Sequence, residues 1–263
     1  PASIDAIIPS PTSTLVAIQT TGTDGDADSW LIDSNPQAEM NLTNVGPNDG
    51  TDPDFFVSWS PAGDLLLVRS GTDASMLFVT NFARSIVPID PNPIYQGDMN
   101  SGTAPAWSAD GSLISYFDND PSAGGQLHIA RADGSALCDP IANVQVMTWS
   151  PNQPQLWTLM NVPDSPQALT IVNADCSQQP LTNFDVPVSR LRWAPNAGAL
   201  ALIANNDGSA SLSIFTGDSI IPIDMAKANV AFADILNWSP GGEVLALYAG
   251  GPTVSLWVVV PGS

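Results

Sequence analysis

Three aspartates stand at alternate positions in Asp24-Gly25-Asp26-Ala27-Asp28. Carboxylates at the first, third and fifth positions of a loop can wrap one Ca²⁺, because hard oxygen ligands converge while the residues between them point away. Asp33 then falls at the tenth position rather than the ninth or twelfth, and no glutamate follows to complete the shell. The same residues also read as a solvated hairpin tip, since Asp and Gly favour turns whether or not they bind anything. Asp118-Asn119-Asp120 is a shorter version of the pattern and reads as a turn. Other catalytic chemistry is thinly supplied. His128 is the only histidine, and it sits in the alternating stretch Gln126-Leu127-His128-Ile129-Ala130 with no nucleophile elbow nearby. One histidine and two separated cysteines do not make a zinc site. Glu39 and Glu243, the only glutamates, both fall on turns and leave no carboxylate pair for glycoside chemistry. Arg190 and Arg192 share one side of a strand, where they can meet an anion or, by default, neighbouring aspartates.

The elements that hold these residues follow from composition. The 263 residues carry 26 Asp and Glu against 6 Lys and Arg, a net charge of −20. Electrostatic capture of nucleic acid or anionic lipid needs clustered bases, so both are excluded. Aspartate far exceeds glutamate, and 24 prolines and 20 glycines accompany it, which argues for a turn-rich β protein. The longest apolar runs, Ala199–Ala204 and Leu256–Val260, are strand-sized, well short of the roughly 18 residues of a membrane-spanning helix. No direct membrane insertion is expected of this chain. It begins at Pro1 rather than Met, which reads as a processed or trimmed terminus and leaves open whether an anchor precedes it. Scarce lysine beside abundant Ser, Thr, Asn and Asp suits an extracytoplasmic protein, whether periplasmic, secreted or on the cell surface. Cys138 and Cys176 read equally as a bridge closing a 38-residue loop or as two unpaired small residues at strand ends.

A repeat organises the whole chain. Trp59-Ser-Pro-Ala-Gly-Asp-Leu-Leu, Trp107-Ser-Ala-Asp-Gly-Ser-Leu-Ile, Trp149-Ser-Pro-Asn-Gln-Pro-Gln-Leu, Trp193-Ala-Pro-Asn-Ala-Gly-Ala-Leu and Trp238-Ser-Pro-Gly-Gly-Glu-Val-Leu align directly. A sixth copy, Pro9-Ser-Pro-Thr-Ser-Thr-Leu-Val, has Pro9 in place of the tryptophan. Each copy predicts an apolar strand into the anchor, a tight turn, a second strand, a polar hairpin, an alternating third strand and a short fourth. Four antiparallel strands recurring every 42 to 50 residues predict propeller blades. One large ring per blade, packed between sheets, contributes about 1.5–3 kcal/mol by burial.

The Trp-Ser-Pro-x-Gly-x-x-Leu-Ala motif resembles the TolB-like, or PD40 (WD40-like), propeller repeat. The resemblance covers essentially the whole chain and implies a six-bladed propeller that binds protein partners. The expected fold is all-β, a single six-bladed propeller over residues 1–263 with anchors near 9, 59, 107, 149, 193 and 238. Its blades are four-stranded, and the last is one strand short because only Pro261-Gly262-Ser263 follow the third strand.

Sorting the loops by end places aspartates unevenly. The end that carries the hairpin loops and blade-to-blade crossovers of the first three blades gathers Asp49, Asp52, Asp54, Asp98, Asp118 and Asp120, beside the candidate calcium ligands Asp24, Asp26 and Asp28. Thr43–Asp54 and Asp90–Ala104 are also the longest crossovers, and long loops at one rim are where function collects. The leading expectation is a non-catalytic interaction or scaffold module within a larger assembly, using the acidic rim and strand addition at the sixth blade. The alternative is a calcium-dependent lactonase- or esterase-type hydrolase at the channel mouth, built on Asp and Asn ligands. A further reading uses Trp30, Trp157 and Trp257 to bind carbohydrate.

Overall fold

The computed structural model describes residues 3–21, 27–33, 38–41, 54–71, 76–81, 86–90, 92, 94–98, 102–206, 209–217, 219–223, 225, 232–250 and 254–260. These residues form six antiparallel sheets, each a meander in chain order. The first contains β1 (Ser3–Pro9), β2 (Leu15–Thr21), β3 (Ala27–Asp33) and β4 (Ala38–Asn41); the second contains β5 (Asp54–Trp59), β6 (Leu66–Ser70), β7 (Met76–Thr80) and β8 (Ile86–Asp90). The third has β9 (Ala106–Trp107), β10 (Leu113–Phe117) and β11 (Leu127–Arg131). The fourth has β12 (Val144–Trp149), β13 (Leu156–Val162), β14 (Ser165–Val172) and β15 (Gln178–Phe184). The fifth has β16 (Val188–Trp193), β17 (Leu200–Asn206), β18 (Ser209–Phe215) and β19 (Ile220–Ile223), and the sixth has β20 (Phe232–Trp238), β21 (Leu245–Gly250) and β22 (Val254–Val259).

All six copies of the repeat close their turn with one bond. The residue after each anchor donates its N–H to the carbonyl five residues on: Ser10 to Leu15, Ser60 to Leu65, Ser108 to Leu113, Ser150 to Gln155, Ala194 to Ala199 and Ser239 to Val244, at 2.7–2.9 Å. The copy without tryptophan therefore folds like the others. Four copies add a bond from the fifth motif residue back to the second, made by Gly63, Gly111, Ala197 and Gly242 in left-handed conformation. A register shift interrupts the first strand a few residues before the anchor in five sheets, between Ile4 and Ala6 and between Phe56 and Ser58, for example. Such bulges increase local twist.

The second strand of each sheet explains the apolar runs in the sequence. Side chains alternate across a strand, so a strand covered on both faces must be apolar throughout. In β6, Leu66 and Val68 pack with Ala17 and Leu31, while Leu67 packs with Trp107 and Ile114. In β17, Leu200 and Leu202 join Trp157 and Leu169, whereas Ala201 and Ile203 join Trp238 and Leu247.

The chain divides into two compact units. One comprises Pro1–Gln96, Pro105–Asp120 and Leu127–Pro140; the other comprises Gly97–Ala104, Pro121–Gln126 and Ile141–Ser263. The third sheet differs from the four-stranded expectation. Its fourth member is reduced to an isolated bridge between Ala130 and Ala136 after the turn at Asp133. Cys138 and Cys176 are disulfide-bonded, which decides between the two readings of the cysteines.

Candidate functional site

The acidic residues named from the sequence separate into several environments. Asp24, Asp26, Asp49 and Asp52 lie outside the described residues. Asp28 belongs to β3 and is paired with Thr20 rather than standing at a loop tip; its carbonyl accepts from Gln19 Nε2 and Thr20 Oγ1 at 3.5 Å. Asp54 opens β5 opposite Ser70. Exposed Asp98 donates its N–H to Thr103 Oγ1 at 2.9 Å and accepts the Thr103 N–H at 3.2 Å, which closes the crossover into a loop. Asp118 and Asp120 are half-buried beyond the end of β10. Among the described residues no group of three or more His, Cys, Asp or Glu is arranged to hold a metal ion.

Register then builds a cluster that the sequence did not announce. Tyr116 and His128 stand opposite each other on β10 and β11, and their rings stack with centroids 5.2 Å apart. His128 Nε2 lies 3.4 Å from Asp118 Oδ2, and the Tyr116 hydroxyl donates to Asp90 Oδ2 at 2.9 Å. Burial first, then the charge and hydrogen bond of Asp90, push the Tyr116 phenol far above its usual range. A donor locked onto a carboxylate and held neutral is a structural tie, and among the described residues no hydroxyl nucleophile is paired with His128. Arg190 likewise takes the local partner, with Nε 3.3 Å from Asp234 Oδ1.

The outer edges of the sheets are unequal. Edge strands expose unpaired N–H and C=O groups, and proteins blunt them with charge, proline or cover. The outer strands β4, β8, β15 and β19 carry the exposed residues Glu39, Pro88, Pro180 and Pro222 respectively. Strand β22, Val-Ser-Leu-Trp-Val-Val, carries neither proline nor charge, and among the described residues no strand pairs with its far side. Leu256 and Val258 are 68% and 65% exposed, while Val259 and Trp257 face the core shared with Trp238 and Leu247.

No protein-family model matches the sequence, and no curated protein matches it significantly. Solved structures do. TolB from Acinetobacter baumannii aligns over 97% of this chain at 13% identity and a TM-score of 0.51. The β-propeller domain of the Trilobed protease from Pyrococcus furiosus aligns over 99% at 9% identity and 0.59. Prolyl oligopeptidase B from Galerina marginata aligns over 99% at 12% identity and 0.61. The fold is a β-propeller, shared with TolB and with the peptidase propellers. The chain spans 60% of the length of TolB, 81% of the Pyrococcus propeller domain and 43% of the oligopeptidase. In propeller terms, the Trp-Ser-Pro turns hold one end of each sheet, and β4, β8, β15, β19 and β22 are the outermost described strands of theirs.

Proposed function

We propose that this chain is a six-bladed propeller over residues 1–263 that serves as a non-catalytic, extracytoplasmic protein-interaction module. Six copies of one turn support the blade count. The disulfide supports an oxidising compartment, because such bonds persist outside the cytosol. The resemblance to TolB-like repeats, with their implied habit of binding protein partners, supports an interaction role.

The observation that carries the reading is the unprotected edge of β22. Its occupant is an extended segment of a protein partner, about six residues long, that pairs with the free side of β22. Backbone hydrogen bonds give such a segment affinity, and alternate apolar side chains lie over Leu256 and Val258. The acidic rim of Asp49, Asp52, Asp54, Asp98, Asp118 and Asp120 adds attraction for a basic surface, steering the encounter in a salt-dependent way.

Affinity capture from the native source tests this with three forms of the protein: wild type, Leu256→Lys with Val258→Lys, and Asp49→Asn with Asp52→Asn and Asp54→Asn. A co-purifying chain retained by wild type and lost from the edge variant is expected. The rim variant should retain it with weaker salt dependence. A wild-type protein travelling alone, or a partner held equally well by the edge variant, overturns the reading.

A further inference from the structure

Neighbouring repeats are tied by two recurring contacts. In the first, the anchor indole donates to the carbonyl just before the preceding anchor: Trp59 Nε1 to Ile8 O and Trp238 Nε1 to Arg192 O, both at 3.0 Å. In the second, the turns touch. A Cβ added to Gly63 would overlap Ser10 Oγ, and one added to Gly242 would lie 2.6 Å from the Asn196 amide. Where the second and third sheets meet, the Trp107 indole lacks a partner, but a Cβ on Gly111 would still reach Pro61 at 3.4 Å.

Between the fourth and fifth sheets both ties are missing. The glycine position holds Ala197, whose φ of 57° keeps the left-handed turn while adding a methyl group that the sister glycines lack. Trp193 Nε1, which the repeat would direct to the Thr148 carbonyl, is buried without a partner among the described residues. Beside the packed core that joins the two sheets, a cleft of about 450 Å³ opens at their turns. Trp157, Trp193 and Phe215 line it, with Trp157 edge-on to Trp193 at 5.0 Å and tilted against Phe215 at 5.1 Å. Trp157 is only 6% exposed, and its Nε1 also lacks an acceptor. The carboxamides of Asn152, Gln153, Gln155 and Gln179, with the hydroxyls of Ser150 and Thr216, supply the polar part of the lining, and no charged residue contributes to it.

We propose that this cleft binds a neutral carbohydrate. Aromatic faces match the C–H faces of a sugar ring. Carboxamides donate and accept at once, as sugar hydroxyls do. Two indole donors without acceptors are costly to leave unpaired, and a ligand oxygen reaching them from the cleft relieves that. A wholly apolar ligand would strand the amides as well. An anion would meet a chain of net charge −20 with no cation in the lining. An extended peptide finds no continuous ladder to join, because β15, which contributes Gln179 and Leu181, is interrupted by Pro180.

The test is an array of neutral hexose and N-acetylhexosamine oligosaccharides, followed by titration of the best binder while the indole N–H resonances are observed by NMR. Saturable binding that shifts the indoles of Trp157 and Trp193, assigned with Trp157→Phe and Trp193→Phe, is expected. Asn152 and Gln179 are exposed, so the Asn152→Ala, Gln179→Ala double variant keeps the fold intact and should weaken binding about tenfold or more. Absence of binding across the array overturns the proposal. So does binding unaffected by the double variant, or binding that moves only other indoles. Capture by acidic glycans or peptides alone overturns it too.

Discussion

The indole of Trp238 reaches across to the backbone of Arg192, 46 residues earlier, and donates to its carbonyl at 3.0 Å. Trp59 does the same to Ile8, while Trp193 has no acceptor. The anchors look interchangeable in sequence, yet their hydrogen bonding differs. Replacing Trp59 or Trp238 by Phe removes a part-buried hydrogen bond and takes a donor from the carbonyl it caps. Each should therefore cost about 1 kcal/mol more than Trp193→Phe, which loses ring area alone. Urea unfolding of the three variants checks this, and equal losses would contradict it.

The turn glycines and Ala197 make opposite predictions. Gly63→Ala places a methyl on Ser10 in a left-handed backbone and should destabilise by about 1–3 kcal/mol. Ala197→Gly removes a methyl from that same conformation and should leave stability unchanged or raise it by up to about 1 kcal/mol. Thermal unfolding midpoints moving in the same direction would count against the argument.

Reduction of the Cys138–Cys176 bond opens a 38-residue loop in the unfolded chain. Loop-closure entropy puts the loss at about 4 kcal/mol. A Cys138→Ser, Cys176→Ser variant compared with wild type by chemical denaturation should show a loss of that order. The wild type measured under reducing conditions should match the variant.

Acid stability has a local origin. Asp133 and Asp175 accept the side-chain hydroxyl and then the backbone N–H of Ser135 and Ser177, which hold both carboxyls below their usual range. At Asp110 burial pushes upward, but bonds from Ser108 and Ser112 outweigh it. A folded pKa below the unfolded value contributes stability above about pH 4, and that contribution disappears as pH falls through the folded value. Ser135→Ala and Ser177→Ala remove the hydroxyl donors but keep the backbone N–H bonds, so an NMR titration should show both carboxyls moved part of the way back toward the ordinary range. They should also make the decline of stability below about pH 4 shallower.

What could be read from the sequence was whatever repeats. The anchor at Pro9 lacks the ring, yet Ser10 closes its turn on Leu15 as Ser60 does on Leu65, so local turn chemistry sufficed to place it. The third sheet's missing strand was not legible, because Asp133-Gly134-Ser135 turns the chain back for only one bridge. The Tyr116–His128 stack needs cross-strand register, and the unpaired Trp193 needs knowledge of the neighbouring sheet. Neither follows from a residue's own segment. Asp28 illustrates the limit from the other side: alternate aspartates fit a loop pattern, but this one is part of a paired strand.

The indole ties also carry a direction. Trp59 and Trp238 each reach back toward the N-terminus, to an acceptor made about 50 residues earlier. A chain emerging from its N-terminus at roughly 5–20 residues per second thus offers each of these rings a finished carbonyl within seconds. Neither ring has to wait for sequence still unsynthesised, so growth in that order keeps the exposed life of these aromatic surfaces short.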